Sequence, residues 1–317
     1  MSVEMNELLE HIRLSYQLGE RLYTELRDKR PADADVIISP RQIGDTIWLC
    51  AFAKSYKAQY NSKRILMVIP ESQKDFMQFF PSVDLVLPVD SVDMDSLRIF
   101  IGINELWKDS HVVYAHMPFS VAISKNGVFF HEHSDTNSML EITRAALGLT
   151  ENAVVERMTV PQKPFSEALQ ERYRNAVMLV PGANSLKQIP ASFWNTLSRS
   201  LREKGIRLYS NYNGLDCEHV VEGTEPLASS FSELVELCRY FRAFVCMRSG
   251  ICDLIAGTDA NLICLWPTHE RNGDLSVHPA QQNHADLSVL GRTKGIWNYQ
   301  FQPDMETELI SQIISII

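Results

Sequence analysis

The sequence predicts an α/β protein made of two Rossmann-like domains facing a central cleft, with an extra helix at the N-terminus. Three observations lead there. The chain has 317 residues, about twice a domain of ~150. Short apolar runs alternate with amphipathic segments along nearly its whole length, the pattern of a parallel, doubly wound sheet. The alternation pauses once, around residues 160–173, where Pro161 and Pro164 stand close together and periodicity is weak, and then restarts on the same plan. These breaks give a helical extension over 1–30, an N-terminal Rossmann-like domain over 31–165 and a C-terminal one over 166–317.

The elements follow in order. Leu8, Leu9, Ile12, Leu14, Leu18, Leu22 and Leu26 recur at helical spacing until Pro31 ends the first segment. DVIISP (35–40) reads as a buried strand, RQIGD as a sharp turn, and TIWLCAFAKSYKAQY (46–60) as one helix. RILMVIP (64–70) is a strand, ESQKDFMQFF (71–80) a helix, DLVLPV (84–89) a strand and DMDSLRIFIGINELW (93–107) a helix. HVVYAHMP (111–118) and GVFFHEH (127–133) are further strands, and SMLEITRAALGL (138–149) is a helix closed by Gly148.

The second half repeats the scheme. NAVMLVPG (175–182) is a strand ending in a glycine turn, followed by an amphipathic helix, FWNTLSRSLREKG, closed by Gly205. IRLYSNY (206–212) is a strand, and SFSELVELCRYF (230–241) a helix opened by a capping box at Ser230 or Ser232. AFVCMRSG (243–250), CDLIAGTD (252–259) and NLICLWPT (261–268) read as strand, short helix and strand. METELISQIISII (305–317) is a closing helix.

Composition excludes several classes. Thirty basic against thirty-nine acidic residues give a net charge of −9, where a nucleic-acid binder should show a basic excess. A 45% hydrophobic content is too high for a disordered chain. The longest unbroken apolar run, residues 47–53, is far short of the ~18 needed to cross a bilayer. The first residues, MSVEMNELLEHIRL, carry acids and no apolar signal core, so a cytoplasmic location is expected. Cys50, Cys217, Cys238, Cys246, Cys252 and Cys264 form no C-x-x-C pair, which fits reduced thiols and gives no zinc spacing.

Three strand-to-helix turns could carry chemistry. In Ser39-Pro40-Arg41-Gln42-Ile43-Gly44-Asp45, Gly44 permits a tight turn and Asp45 stands at a helix start. Asp45 is there either a general base or a helix N-cap. In Pro181-Gly182-Ala183-Asn184-Ser185-Leu186-Lys187, small residues allow close backbone approach. Ser185 and Lys187 suit phosphate oxygens, or belong to a solvated loop. In Arg248-Ser249-Gly250-Ile251-Cys252-Asp253, a helix N-terminus, the Ser249 hydroxyl and the Arg248 guanidinium suit a diphosphate. Asp253 reads as a buried residue that caps or pairs locally, and an Arg at a strand end calls for an anionic partner.

In this order, GDTIWLCAFAKSYK, VMLVPGANSLKQIPASFWNTLSRSLREKGIRLY and CRYFRAFVCMRSGICDLIAGTDANLICLWPT resemble the heptosyltransferase family of GT-B glycosyltransferases (family 9). The resemblance spans residues 35–270. It implies Asp45 as catalytic base, Lys187 as the phosphate-contacting lysine, and Ser249-Gly250 as the turn that receives a nucleotide diphosphate. Gly182, Asn184, Ser185, Arg248 and Thr268 join this donor set. Arg41, Gly44, His116, His131 and His133 are acceptor-side candidates. This chain has Arg248 where the family commonly has Asp and Asp253 where it commonly has His, so the resemblance implies the chemistry and not the sugar.

The implied reaction moves a hexosyl or heptosyl group from a nucleotide-diphosphate sugar to a hydroxyl of a surface-glycan acceptor, lipopolysaccharide- or capsule-type, with inversion. It needs no metal and no cofactor. The acceptor is a saccharide or a lipid-linked saccharide, and in the latter case the protein sits peripherally at the inner membrane face. Two rival readings are a sugar-nucleotide epimerase of the same shape and a degenerate nucleotide-sugar-binding scaffold.

Other features are weaker. Asp33/Asp35 and Asp93/Asp95 form Asp-x-Asp strings, but one precedes a strand and the other opens a helix. Alternation puts His131 and His133 on one strand face with no obvious third ligand. Trp266 stacks on a base or fills the core, and Thr268 and His269 lie just past a strand end. Residues 270–284 have the composition of a mobile lid or, equally, of disordered surface. The leucine stripe of the first helix suits packing better than lipid, because a basic face is missing.

Overall fold

A computed structural model describes residues 3–39, 42–106, 112–114, 121–124, 127–130, 138–160, 166–184, 186–215, 218–267, 286–291 and 295–317. The chain divides into two compact units, Met1–Glu156 and Arg157–Ile317.

Unit 1 holds a parallel four-stranded sheet of order β3-β2-β1-β4. Its strands are β1 (Ala34–Ile38), β2 (Arg64–Pro70), β3 (Leu85–Val89) and β4 (Val112–Tyr114). All five residues of β1 are buried, as expected for a strand covered on both faces. The expected helix over 46–60 is two helices, α2 (Ile43–Ala51) and α3 (Ala53–Tyr60). Between them Phe52 donates to Leu49 O at 3.2 Å, a tighter 3-10 contact, and buries its ring beneath Arg144.

Residues Glu71–Phe79 form a 3-10 helix where an α-helix is expected. The reason lies in the spacing of what is buried. Gln73, Phe76 and Phe79 recur every third residue, and only three residues per turn stacks them on one face. The strand β6 (Gly127–Phe130) pairs antiparallel with β5 (Val121–Ser124), apart from the parallel sheet. Helix α5 (Met139–Ala146) opens with a capping box of Ser138 and Glu141 and closes at Gly148, whose φ is 61°.

The first helix, α1 (Val3–Lys29), packs along α4 (Ser91–Ile103) inside unit 1. Tyr16 reaches Asn104 at 3.3 Å, while Leu26 clusters with Met94 and Leu97, so the two helices run antiparallel. Gly19 sets their closeness, since a Cβ there would stand 2.2 Å from Ser96 O.

Unit 2 holds a parallel six-stranded sheet of order β12-β11-β10-β7-β8-β9. Its inner strands are β7 (Val177–Val180), β8 (Leu208–Asn211), β10 (Ala243–Met247) and β11 (Leu262–Trp266). Helix α7 (Ala191–Glu203) buries Phe193, Trp194, Leu197 and Leu201 against them, and Gly205 follows at φ 76°. The last helix, α10 (Glu306–Ile316), joins the same core through Leu309, Ile310 and Ile313. Ser230, rather than Ser232, makes the capping box of α8 (Phe231–Leu237), with Glu233.

One α-helix and two strands among the described residues here were not anticipated. Helix α6 (Glu167–Tyr173) falls in the stretch read as linker. It is too short to show a period, and it is held by Tyr173, which packs on Tyr209 and Phe241. The edge strands β9 (Glu225–Leu227) and β12 (Ile296–Gln300) are short or only half-buried, so neither leaves an apolar run in the sequence.

Candidate functional site

In an open α/β sheet, ligands gather outside the carboxyl ends of the strands, where the strand order reverses. Each unit has one such point. In unit 1 the chain goes from β1 outward to β2 and β3, then returns to β4 on the other side of β1. The reversal lies between the carboxyl ends of β1 and β4. The first of the three turns follows β1 there.

Helix α2 starts at Ile43, with Gln42 as its N-cap, φ −85° and ψ 137°. Gly44 is therefore already helical, and the tight turn expected of it is absent. Asp45 is the third helical residue and not the N-cap, so the capping reading fails on geometry. It is half-buried in the first turn, where the open amides and the helix dipole favour a carboxylate. Arg41, His116, His131 and His133 lie outside the described residues.

One residue after Asp45 begins a buried polar group that sequence reading missed. Ser39, Thr46 and Gln73 are 1%, 0% and 4% exposed. Ser39 Oγ meets Thr46 Oγ1 at 2.5 Å, and Thr46 Oγ1 donates to Gln73 Oε1 at 2.6 Å. Gln73 is 27 positions from Thr46, and nothing in the sequence links them.

In unit 2 the chain runs from β7 to β8 and β9, then crosses to β10, β11 and β12. The reversal falls between β7 and β10, which pair in register at Val180 and Cys246. This brings the second and third turns together at adjacent strand ends. Gly182 and Ala183 are buried, while Asn184 and Lys187 are exposed. Gln188 Nε2 donates to Ala183 O and braces the turn. Ser185 and Thr268 lie outside the described residues, as do His269 and the stretch 270–284.

At the third turn, Ser249 is the N-cap of α9 (Gly250–Ala256), with φ −157° and ψ 174°. Its hydroxyl makes no capping bond, and Ser249 Oγ is buried without a hydrogen-bond partner. A buried hydroxyl without a partner is a costly atom that a ligand oxygen would satisfy. It stands at a helix start whose first amides have no partner within the helix.

Arg248 finds its anion in its own chain. Its Nη1 and Nη2 donate to Asp253 Oδ2 and Oδ1 at 2.6 and 2.9 Å, and Nη1 also reaches Ser249 O. The guanidinium lies 5.3 Å from the centre of the Trp266 ring. Its side chain is 13% exposed and that of Asp253 is 1% exposed. Burial opposes the charge on Arg248, but the Asp253 carboxylate together with the neighbouring Cys252 and Cys264 sulfurs outweighs it and holds its pKa above the ordinary value. Trp266 is itself buried, with Nε1 donating to Asn298 Oδ1 at 3.0 Å. The buried thiols Cys252 and Cys264 lie near the Arg248 guanidinium, their sulfurs 3.7 Å apart, and Cys246 is buried beside them.

A further residue was not anticipated. Glu218 accepts from Asn211 Nδ2 at 3.0 Å and from the Asn213 amide at 2.6 Å, fixing the loop that leaves β8 beside the second turn. The only sequence signal was the cluster of turn formers Asn211, Asn213 and Gly214. Of the Asp-x-Asp strings, Asp33 accepts from Arg64 Nε at 2.9 Å and Asp93 sits in the first turn of α4. Among the described residues no group of three or more His, Cys, Asp or Glu is arranged to hold a metal, and no described helix is long and apolar enough to cross a membrane.

No family model and no curated protein matches the chain. Solved structures do. The E. coli ADP-heptose LPS heptosyltransferase II is 12% identical with a TM-score of 0.56, over 89% of this chain and 97% of that one. The E. coli heptosyltransferase WaaC with ADP is 13% identical with a TM-score of 0.54, over 89% and 99%. A family 9 glycosyl transferase from Veillonella parvula is 15% identical with a TM-score of 0.54, over 90% and 93%. The chain thus has the α/β fold of the heptosyltransferase-like GT-B proteins, carried by two parallel sheets and with a helix before the first strand.

Proposed function

We propose that the chain is a glycosyltransferase that takes a sugar from a nucleotide-diphosphate donor and gives it to a saccharide hydroxyl, with unit 2 holding the donor. One observation carries the reading. Two small-residue turns meet at the order reversal of the unit 2 sheet, and one of them holds a buried hydroxyl, Ser249 Oγ, with no partner beside the open end of α9. The heptosyltransferase fold supports it, and the WaaC structure with ADP makes ADP the first nucleotide to try.

In this reading Asp45 takes the proton of the acceptor hydroxyl. The freed oxygen attacks the anomeric carbon, the bond from that carbon to the phosphate oxygen breaks, and the sugar inverts. Charge grows on the departing diphosphate. Ser249 Oγ, the first amides of α9, the exposed Lys187 and the remaining donors of Arg248 meet it without a metal. Gly182 and Asn184 let the diphosphate approach the backbone. Asp253 and the Trp266 ring hold the guanidinium in one orientation, so it need not reorganise as charge develops. The acceptor belongs to a surface glycan. A lipid-linked acceptor would bring this cytoplasmic protein to the inner membrane face.

The test is thermal unfolding against ADP, UDP, GDP and CDP, each with and without a chelator. One diphosphate should raise the transition, unaffected by the chelator, and Ser249→Ala should diminish that rise at the same nucleotide concentration. No shift with any of them would overturn the donor site. With the matching sugar nucleotide, transfer or hydrolysis that is lost in Asp45→Ala supports the transferase. Equilibration of the sugar would mark an epimerase, and an intact donor would mark a scaffold.

A further inference from the structure

We infer that Ser39, Thr46 and Gln73 form a positioning relay for Asp45. This buried chain of hydrogen bonds fixes the first turn of α2, and with it the direction in which Asp45 presents its carboxylate. The use made of that carboxylate rests on the reading of Asp45 as base; the positioning itself does not.

The three side chains come from three elements: the end of β1, the first turn of α2 and the 3-10 segment after β2. Thr46 Oγ1 donates to Gln73 Oε1 at 2.6 Å and also reaches Gln42 O at 3.2 Å. Ser39 Oγ and Thr46 Oγ1 share a hydrogen bond of 2.5 Å in which either hydroxyl can donate. Ser39 is tied to the sheet through its amide, which donates to Val68 O at 3.0 Å. The relay therefore runs from the β2 backbone through Ser39 and Thr46 to Gln73. Thr46 lies one residue after Asp45.

Packing alone does not call for these residues. A valine fills the shape of a threonine and carries no desolvation cost, whereas each buried hydroxyl or amide is costly unless bonded. The rest of the buried face of α2, Ile47, Trp48, Leu49, Cys50 and Ala51, is dominated by apolar side chains. On that face of α2 the buried polar side chain, Thr46, falls at the turn that carries Asp45, at the order reversal of the sheet. A satisfied buried network gives a single geometry, because any departure leaves a group unpaired in a low dielectric.

The test needs no substrate. The carboxyl carbon resonance of Asp45 is identified by NMR as the signal lost in Asp45→Asn. Thr46→Val should move that resonance and speed amide exchange at residues 43–46 by about tenfold, a local opening. Thr46→Ser, which keeps the hydroxyl, should restore both. Gln73→Leu, which breaks only the last link, should give the same displacement from the far end, and it carries the test should Thr46→Val not fold. An Asp45 resonance unchanged in the folded Thr46→Val or Gln73→Leu protein would overturn the relay. Transfer surviving in Asp45→Asn would instead remove Asp45 as base, and the NMR result on its positioning would stand.

Discussion

The two order reversals are built from opposite materials. In unit 1 the buried groups described around the first turn of α2 are neutral, two hydroxyls and an amide, and Asp45 in the same turn is half-buried. In unit 2 the buried groups at the first turn of α9 are charged, a bidentate Arg248–Asp253 pair under an indole, beside one hydroxyl with no partner. The neutral relay constrains direction without adding charge, which suits a base whose proton affinity must not be swamped. The ion pair holds a guanidinium in one orientation at a strand end. In the proposed reading, the same strand–turn–helix plan serves proton removal in one unit and anion reception in the other.

The comparison can be broken at several points. The largest effect belongs to Asp45→Asn, which should cut transfer by about 10²–10⁴-fold. It should leave the thermal shift by the diphosphate intact, since that site is assigned to unit 2. Loss of both would put the two roles in one place. Next is Asp253→Asn. It leaves a buried guanidinium without its counter-charge and should cost about 3–5 kcal/mol in denaturant unfolding. A double-mutant cycle with Arg248→Met should recover much of that loss, because the unpaired charge and not the missing contact is what destabilises.

Smaller effects sharpen the contrast. Ser249→Ala should weaken diphosphate affinity by about tenfold, the worth of a hydrogen bond to a charged group. It should leave the stability of the free protein unchanged or slightly raised, because its hydroxyl has no partner to lose. A fall in stability would show that the hydroxyl serves the fold. Lys187→Ala is the mildest. The residue is exposed, so the loss should be a few-fold and should fade as salt is raised.

Much of this was legible in the sequence because local rules governed it. Continuous apolar runs mark strands covered on both faces, and β1, β2, β7, β10 and β11 were all read that way. Gly148 and Gly205 announced helix ends because a left-handed residue must follow the last turn. The turns after β1, β7 and β10 were visible because small residues punctuated apolar runs. What stayed hidden depended on partners far along the chain. Gln73 lies in a segment read simply as a helix, and a 3-10 turn directs it inward to Thr46. Arg248 was legible as a residue in need of an anion. Asp253 was equally legible as a local partner, but that each would satisfy the other is decided by the five-residue step from strand end to helix. The edge strands β9 and β12 carry too little burial to leave a pattern.

The cysteines give the two units separate clocks. Cys50 is buried in unit 1, and Cys238, Cys246, Cys252 and Cys264 are buried in unit 2. Burial pushes the Cys238 thiol up to about 12 and raises Cys50 as well, so neither offers thiolate to a reagent at neutral pH. Their alkylation must wait for the surrounding unit to open. Labelling in native buffer, followed cysteine by cysteine, would therefore time the breathing of each half of the molecule separately, and a bound diphosphate should slow the unit 2 clock while Cys50 keeps its own pace.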